Sequence, residues 1–118
     1  MLSTSLLGDE ARVILVSAGH MLIVQGGRSD VMFVLRRGQA RVLFNGLEVE
    51  RLAIGDPVGE MSLIDHQPHA ASVEAISDCE FVCINEQQFK TLVAETPGFA
   101  LDLMRTMARR LRSVDRLL

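Results

Sequence analysis

Residues 59–72 read GEMSLIDHQPHAAS: a Gly59-Glu60 pair opens a short run, Ser62–Asp65, with helical spacing, and a polar turn led by Pro68 closes it into small residues. Such a stretch suits a ligand that carries both hydroxyls and an anion. A carboxylate accepts hydrogen bonds from hydroxyls, and backbone N–H groups at a helix start donate to anions. The candidate donors are the backbone of Ser62–Asp65 and of Ala70 and Ala71, where small side chains let the main chain come close, and Gly59 gives Glu60 the same close approach. One residue is out of place. His69 stands where this cradle calls for a fixed cation, and an imidazole is charged only when the pH allows it.

Upstream the pattern is one of short strands cut by turns, with segments at Arg12–Val16, Met21–Val24, Val31–Leu35, Ala40–Phe44, Glu48–Ala53, Ala71–Ala75 and Glu80–Ile84. Turn residues punctuate them at Ala18-Gly19, Gly26-Gly27, Arg37-Gly38, Asn45-Gly46 and Gly55-Asp56-Pro57. This spacing favours a sandwich or barrel over alternating βαβ units. Asn45-Gly46 predicts a two-residue type I′ hairpin, which needs positive φ at both central positions.

Downstream the period lengthens. Asn85 precedes Glu86-Gln87-Gln88 and is placed to cap a helix running to about Ala94. Thr96-Pro97 opens a second, longer helix, since proline is tolerated at the first helical position. Leu101, Met104, Ala108, Leu111, Val114 and Leu118 step by three or four residues and predict an apolar stripe that packs on the β-domain or pairs with another helix. Arg105, Arg109, Arg112 and Arg116 lie off that stripe and read as its solvated flank.

The 118 residues, 48% hydrophobic and 23% charged, fit one domain with a buried core. A net charge of -3 argues against a general nucleic-acid binder. Cys79 and Cys83, on one strand face roughly 13 Å apart, cannot bridge within the strand and are expected as buried thiols of a reducing compartment. No apolar run reaches the roughly 20 residues of a membrane span, and the start lacks a secretory pattern, so a cytoplasmic location is expected.

Together these pieces carry a resemblance. AGHMLIVQGGRSDVMFVLRRGQARV, RLAIGDPVGEMSLI, PHAASVEA and PGFALDLMRTMARRLR follow one another between Ala18 and Arg112. In that order and spacing the chain resembles the cyclic nucleotide-binding domain of catabolite-activator-type regulators, kinase regulatory subunits and gated channels. The resemblance implies a mainly β fold, a β-roll (double-stranded β-helix, jelly-roll-like) with C-terminal helices. The single domain 1–118 would divide into a lead-in 1–17, a roll 18–84 with the phosphate-binding cassette 59–72, and helices 85–118.

It further implies a non-catalytic sensor that takes a cyclic nucleotide, cyclic AMP or cyclic GMP, at Gly59, Glu60, Met61, Ser62, His69, Ala70, Ala71 and Ser72. Glu60 would accept from the ribose. Val58, Met61, Leu63 and Ile64 would couple cassette to core, and the last helix would report occupancy. A homodimer through that helix is expected, without DNA contact from this segment. In the family an arginine holds the phosphate at the position of His69. Losing a charge-assisted hydrogen bond costs about 1.5–3 kcal/mol, or roughly one to two decades of affinity, so weak binding of cyclic AMP at neutral pH is expected.

Other readings of the same residues stay open. Glu60 could cap the short helix, Ser62 and Ser72 could be turn and cap residues, and His69 a plain loop residue. The whole chain could be a ligand-independent dimerisation or scaffold domain. Asp65, His66 and His69 could hold a metal on a cupin-like barrel, though HxxH on a loop does not fix a tetrahedral site. Ser62, a histidine and Asp65 give no nucleophile elbow, so no enzyme is expected.

Overall fold

The structure, a computed structural model, describes residues 12–117, with side chains as far as Ser113. Val114, Arg116 and Leu118 of the expected stripe and its flank, and residues 1–11 of the lead-in, therefore lie outside the described side chains. Eight strands and three helices follow in the order β1 Arg12–Val16, β2 Met21–Ile23, β3 Met32–Arg37, β4 Ala40–Phe44, β5 Leu47–Arg51, β6 Pro57–Val58, α1 Glu60–Asp65, β7 Ser72–Ala75, β8 Cys79–Ile84, α2 Glu86–Glu95 and α3 Pro97–Leu117. The strands form two four-stranded sheets, ordered β1-β8-β3-β6 and β2-β7-β4-β5, and every pairing is antiparallel. This is the mainly β roll with C-terminal helices.

The continuous apolar runs of β3 and β8 have a physical reason, because their sheet is buried on both faces. One face sends Phe33, Leu35, Phe81 and Cys83 into the interior with Val16, Ile23, Leu52, Val58, Val73 and Ala75. The other sends Met32, Val34, Val82 and Ile84 against Leu63 of α1, Leu92 of α2, and Phe99 and Leu103 of α3. An edge-on pair, Phe89 and Phe99, with ring centres 5.7 Å apart and planes at 74°, joins the last two helices. Asn85 forms the expected cap with a full capping box: its side chain accepts from the Gln88 N–H, and the Gln88 side chain accepts from the Asn85 N–H.

The turns follow their residues. Asn45 (φ 51°) and Gly46 (φ 82°) are both left-handed and join β4 to β5, with Phe44 opposite Leu47. Three expectations are corrected. β5 ends at Arg51 rather than Ala53, since the Ala53 N–H is taken by the Asp56 carboxylate at 2.8 Å in a turn. The two-residue strand β6 went unread because a proline-led pair has no periodicity, although it pairs with β3 through Phe33 and Val34. Helix α1 starts at Glu60, two residues earlier than the spacing suggested.

The largest correction concerns α3. Leu101, Met104 and Leu111, three of the expected stripe residues, are 46%, 56% and 65% exposed, and Ala108 is exposed as well. The face that packs inward carries Phe99, Leu103, Thr106, Met107 and Arg110. It contains a threonine and an arginine, so a search for the most apolar stripe selects the wrong side of the helix. Phe99 and Leu103 anchor that face in the apolar core, and Arg110 shares it. Of the two destinations the stripe was given, packing on the β-domain is excluded for its described part.

Candidate functional site

The cassette is positioned at both ends. Val58, paired with Phe33 in β6, lies in the interior core, and Leu63 lies in the core beneath the helices, so strand and helix are each pinned. Met61 and Ile64, expected to share this coupling, are 51% and 48% exposed and do not take part. Their neighbours Ser62 and Leu63 face inward because a six-residue helix turns only part of its surface to the sheet.

Gly59 precedes α1 with φ 77°, a left-handed conformation that glycine adopts without strain. A Cβ there would lie 3.2 Å from Ile23 Cδ1 and 3.3 Å from the Val31 carbonyl. Glu60 follows and is 5% exposed. Its Oε1 accepts from Arg110 Nη1 of α3 at 3.0 Å. Arg110 also makes a two-pronged contact with Glu50 of β5, Nε to Oε1 at 3.0 Å and Nη2 to Oε2 at 3.2 Å. Burial opposes the charge of Arg110, but Glu60 and Glu50 outweigh it and hold the guanidinium above its ordinary range.

Among the described residues Glu60 Oε2 has no hydrogen-bond partner, and no buried side-chain oxygen or nitrogen is left without one. The carboxylate serves the last helix with Oε1 and makes no side-chain cap for α1.

His69 is buried, 8% exposed, and is no loose loop residue. Its Nδ1 lies 3.0 Å from Ser62 Oγ and its Nε2 lies 2.9 Å from Ser29 Oγ. The main chain is fixed as well: Gly26 N–H donates to His69 O and His69 N–H donates to Gly27 O, both at 2.8 Å. Burial pushes the imidazole below its ordinary value of 6.5. Ser72 Oγ accepts from the Gln25 N–H at 2.8 Å, tying the exit of the cassette to the loop after β2. Ala70 is exposed and Ala71 half-buried, so the small residues line the open side.

Of the residues expected at the site, Gly59 and Ser62 lie against His69, Ser72 is tied to the adjoining loop, and Glu60 turns to Arg110. Ser29 and Arg110 were not among those expected, and nothing local in PGFALDLMRTMARRLR marks Arg110 as the arginine that turns inward. His66 points elsewhere: it is a left-handed residue (φ 59°) ending α1, with Nε2 3.9 Å from Glu86. Among the described residues no three His, Cys, Asp or Glu side chains converge as a metal would require. Cys79 and Cys83 are buried free thiols, and burial raises both above the ordinary thiol range, which makes them poor nucleophiles. No described helix is long and apolar enough to cross a membrane.

Comparison with known proteins agrees with this fold. The chain is 35% identical over 95 residues to the Pycsar effector protein XpPycTIR of Xanthomonas perforans, covering 80% of this chain and 31% of that protein. Among solved structures it superposes on cAMP-bound PfPKA-R with a TM-score of 0.80 at 24% identity, covering 91% of this chain and 37% of the other. The catabolite activator protein of Thermus thermophilus gives a TM-score of 0.75 at 29% identity, covering 89% and 52%. The chain spans about a third or less of the curated relatives it matches, and only 7% of the lysophospholipase nte1 of Aspergillus oryzae. Residues 13–96 match the family described as the cyclic nucleotide-binding domain, and the chain belongs to that family.

Proposed function

We propose that this chain is a non-catalytic sensor domain that takes a cyclic nucleotide, cyclic AMP or cyclic GMP, in the cassette 59–72 and reports occupancy through α3. The observation that carries the reading is the divided use of Glu60. Oε1 is held by Arg110 of α3, while Oε2 has no hydrogen-bond partner among the described residues and is suited to accept from a ribose hydroxyl. A hydroxyl donating to Oε2 withdraws charge from the carboxylate and loosens its hold on Arg110. The last helix then moves against Glu50 and Glu60, and a partner domain or subunit reads the shift. The exposed stripe Leu101, Met104 and Leu111 gives that helix a surface for a two-fold partner. The two buried, unpaired thiols suit a reducing compartment such as the cytoplasm.

The ligand-independent scaffold is the second reading, and one observation favours it. Both nitrogens of His69 are already satisfied within the protein, so the cassette is complete without a ligand. A thermal-shift screen with cyclic AMP and cyclic GMP at pH 5.5 and 7.5 separates the two. The sensor raises its Tm with at least one nucleotide, and His69→Arg enlarges the shift at pH 7.5. A flat response from both proteins at both pH values leaves the scaffold.

A further inference from the structure

The partners of His69 are unusual in kind. A carbonyl at each ring nitrogen would demand two N–H groups and a permanent charge, and an N–H at either would forbid the charge. Hydroxyls do neither, because each can donate or accept. Ser29 Oγ also reaches the Val31 carbonyl at 3.5 Å, so its proton has a place to go while its oxygen accepts from Nε2–H. Ser62 O–H then donates to a bare Nδ1. Adding a proton at Nδ1 reverses only that last bond. The imidazolium keeps two acceptors, Ser62 Oγ and Ser29 Oγ, and no ring nitrogen loses its partner.

The ring has nowhere else to go. Its main chain is bonded to Gly26 and Gly27 on the loop between β2 and β3, and Cε1 lies 3.6 Å from the position of a Gly59 Cβ. The charged groups on the elements packed around it are few. Arg28 and Asp30 flank Ser29 on that loop, and both are exposed. On α1, Glu60 is held by Arg110, and Asp65 accepts from the Gln67 N–H. On β7, Glu74 pairs with Arg41 at 2.7 Å. Burial is the one resolved influence on the ring, with no charge offsetting it.

We propose that Ser29, His69 and Ser62 form a proton-coupled anion site, in which the cyclic phosphate monoanion and one proton bind together, the two serine oxygens accept both N–H bonds of the charged ring, and the charge of the ring, rather than an N–H, attracts the anion. The proton comes from solvent, and no covalent bond changes beyond its transfer to Nδ1. The inference rests on the sensor reading and adds what it lacks, a cation that exists only when the anion is present. Ser29, outside the cassette, becomes a positioning residue. With alanine at 29 a neutral ring adapts by carrying its single N–H on Nδ1 toward Ser62, whereas the charged ring leaves Nε2–H without an acceptor.

Titration calorimetry of cyclic AMP and cyclic GMP at pH 7.5 in HEPES and in Tris, two buffers of different ionisation enthalpy, tests this. The wild-type protein is expected to take up close to one proton per ligand and to bind about tenfold more tightly per unit of acidification toward pH 6. Ser29→Ala is expected to lose about tenfold in affinity at pH 6, and Ser29→Thr, which keeps the hydroxyl, to restore it. His69→Arg is expected to bind with no proton uptake and no slope. Equal heats in the two buffers, Ser29→Ala binding like wild type, or binding by His69→Arg alone overturns the proton coupling and leaves the sensor reading standing. No binding by either protein at any of these pH values overturns both.

Discussion

Arg110 Nη1 and Glu60 Oε1, 50 residues apart in sequence, meet at 3.0 Å and join the last helix to the first turn of the cassette helix. Glu50 completes the arrangement from β5, where Arg109 also reaches it at 3.7 Å, so two guanidiniums face two carboxylates at the place where sheet, cassette and helix converge. The relation explains how an arginine is accommodated on the inward face of α3 beside Phe99 and Leu103. It also makes α3 sensitive to whatever touches Glu60.

Removing the cation leaves a buried carboxylate uncompensated. Arg110→Met is expected to lower stability by about 3 kcal/mol, while the further change Glu60→Gln restores part of the loss, since a neutral amide needs no counter-charge. Urea denaturation of the two singles and the double variant measures the coupling. Additive losses would show that the pair contributes nothing as a pair.

Acid should weaken the ligand-free protein through His69. Its folded value lies below 6.5, so the unfolded chain binds the proton first, and stability falls as pH drops from about 6.5 toward the lower folded value. The loss levels off once the folded ring is also protonated. His69→Gln is expected to remove this component, read as a smaller difference in Tm between pH 7 and pH 5.5 than in wild type.

Gly59 is held at φ 77° with the Val31 carbonyl 3.3 Å from where a Cβ would sit. A backbone oxygen cannot swing aside as a side chain can. Gly59→Ala is therefore expected to cost about 1–2 kcal/mol from left-handed strain and crowding together, measured as a fall in the urea midpoint at unchanged slope.

An arginine at position 69 supplies a permanent charge. His69→Arg is expected to tighten cyclic AMP binding at pH 7.5 by roughly ten- to a hundredfold. Calorimetry reads this directly, and an unchanged Kd would mean that the side chain at 69 does not face the anion.

The outward stripe of α3 predicts association rather than stability. Leu101→Glu with Leu111→Glu replaces two side chains that are 46% and 65% exposed, so Tm should move by no more than about 2–3 °C. A dimer built on that helix should dissociate. Light scattering after size exclusion reads the mass of both proteins, and a double variant that remains dimeric would place the seam elsewhere.

Much of the fold was legible because it rests on local chemistry. Asn45-Gly46 makes its turn with positive φ at both residues, Asn85 caps α2 through a residue three positions away, and Met32–Leu35 of β3 and Phe81–Ile84 of β8 are apolar runs because they are buried on both faces. The turn at Gly59 was legible for the same reason, since a left-handed glycine opens α1. The β6 pair and the first turn of α1 were not legible, being too short to show a period.

The sequence by itself thus determined the β-roll and the two C-terminal helices. Tertiary structure alone decided that Ser29 clasps His69 across 40 residues, that Arg110 reaches Glu60 across 50, and which face of α3 is buried. The physical reason is that hydrogen bonds and ion pairs between distant segments leave no periodic trace. Periodicity reports only how apolar each position is. The inward face of α3 joins Phe99 and Leu103, which meet the sheet and α2, to Arg110, whose partners lie on β5 and α1.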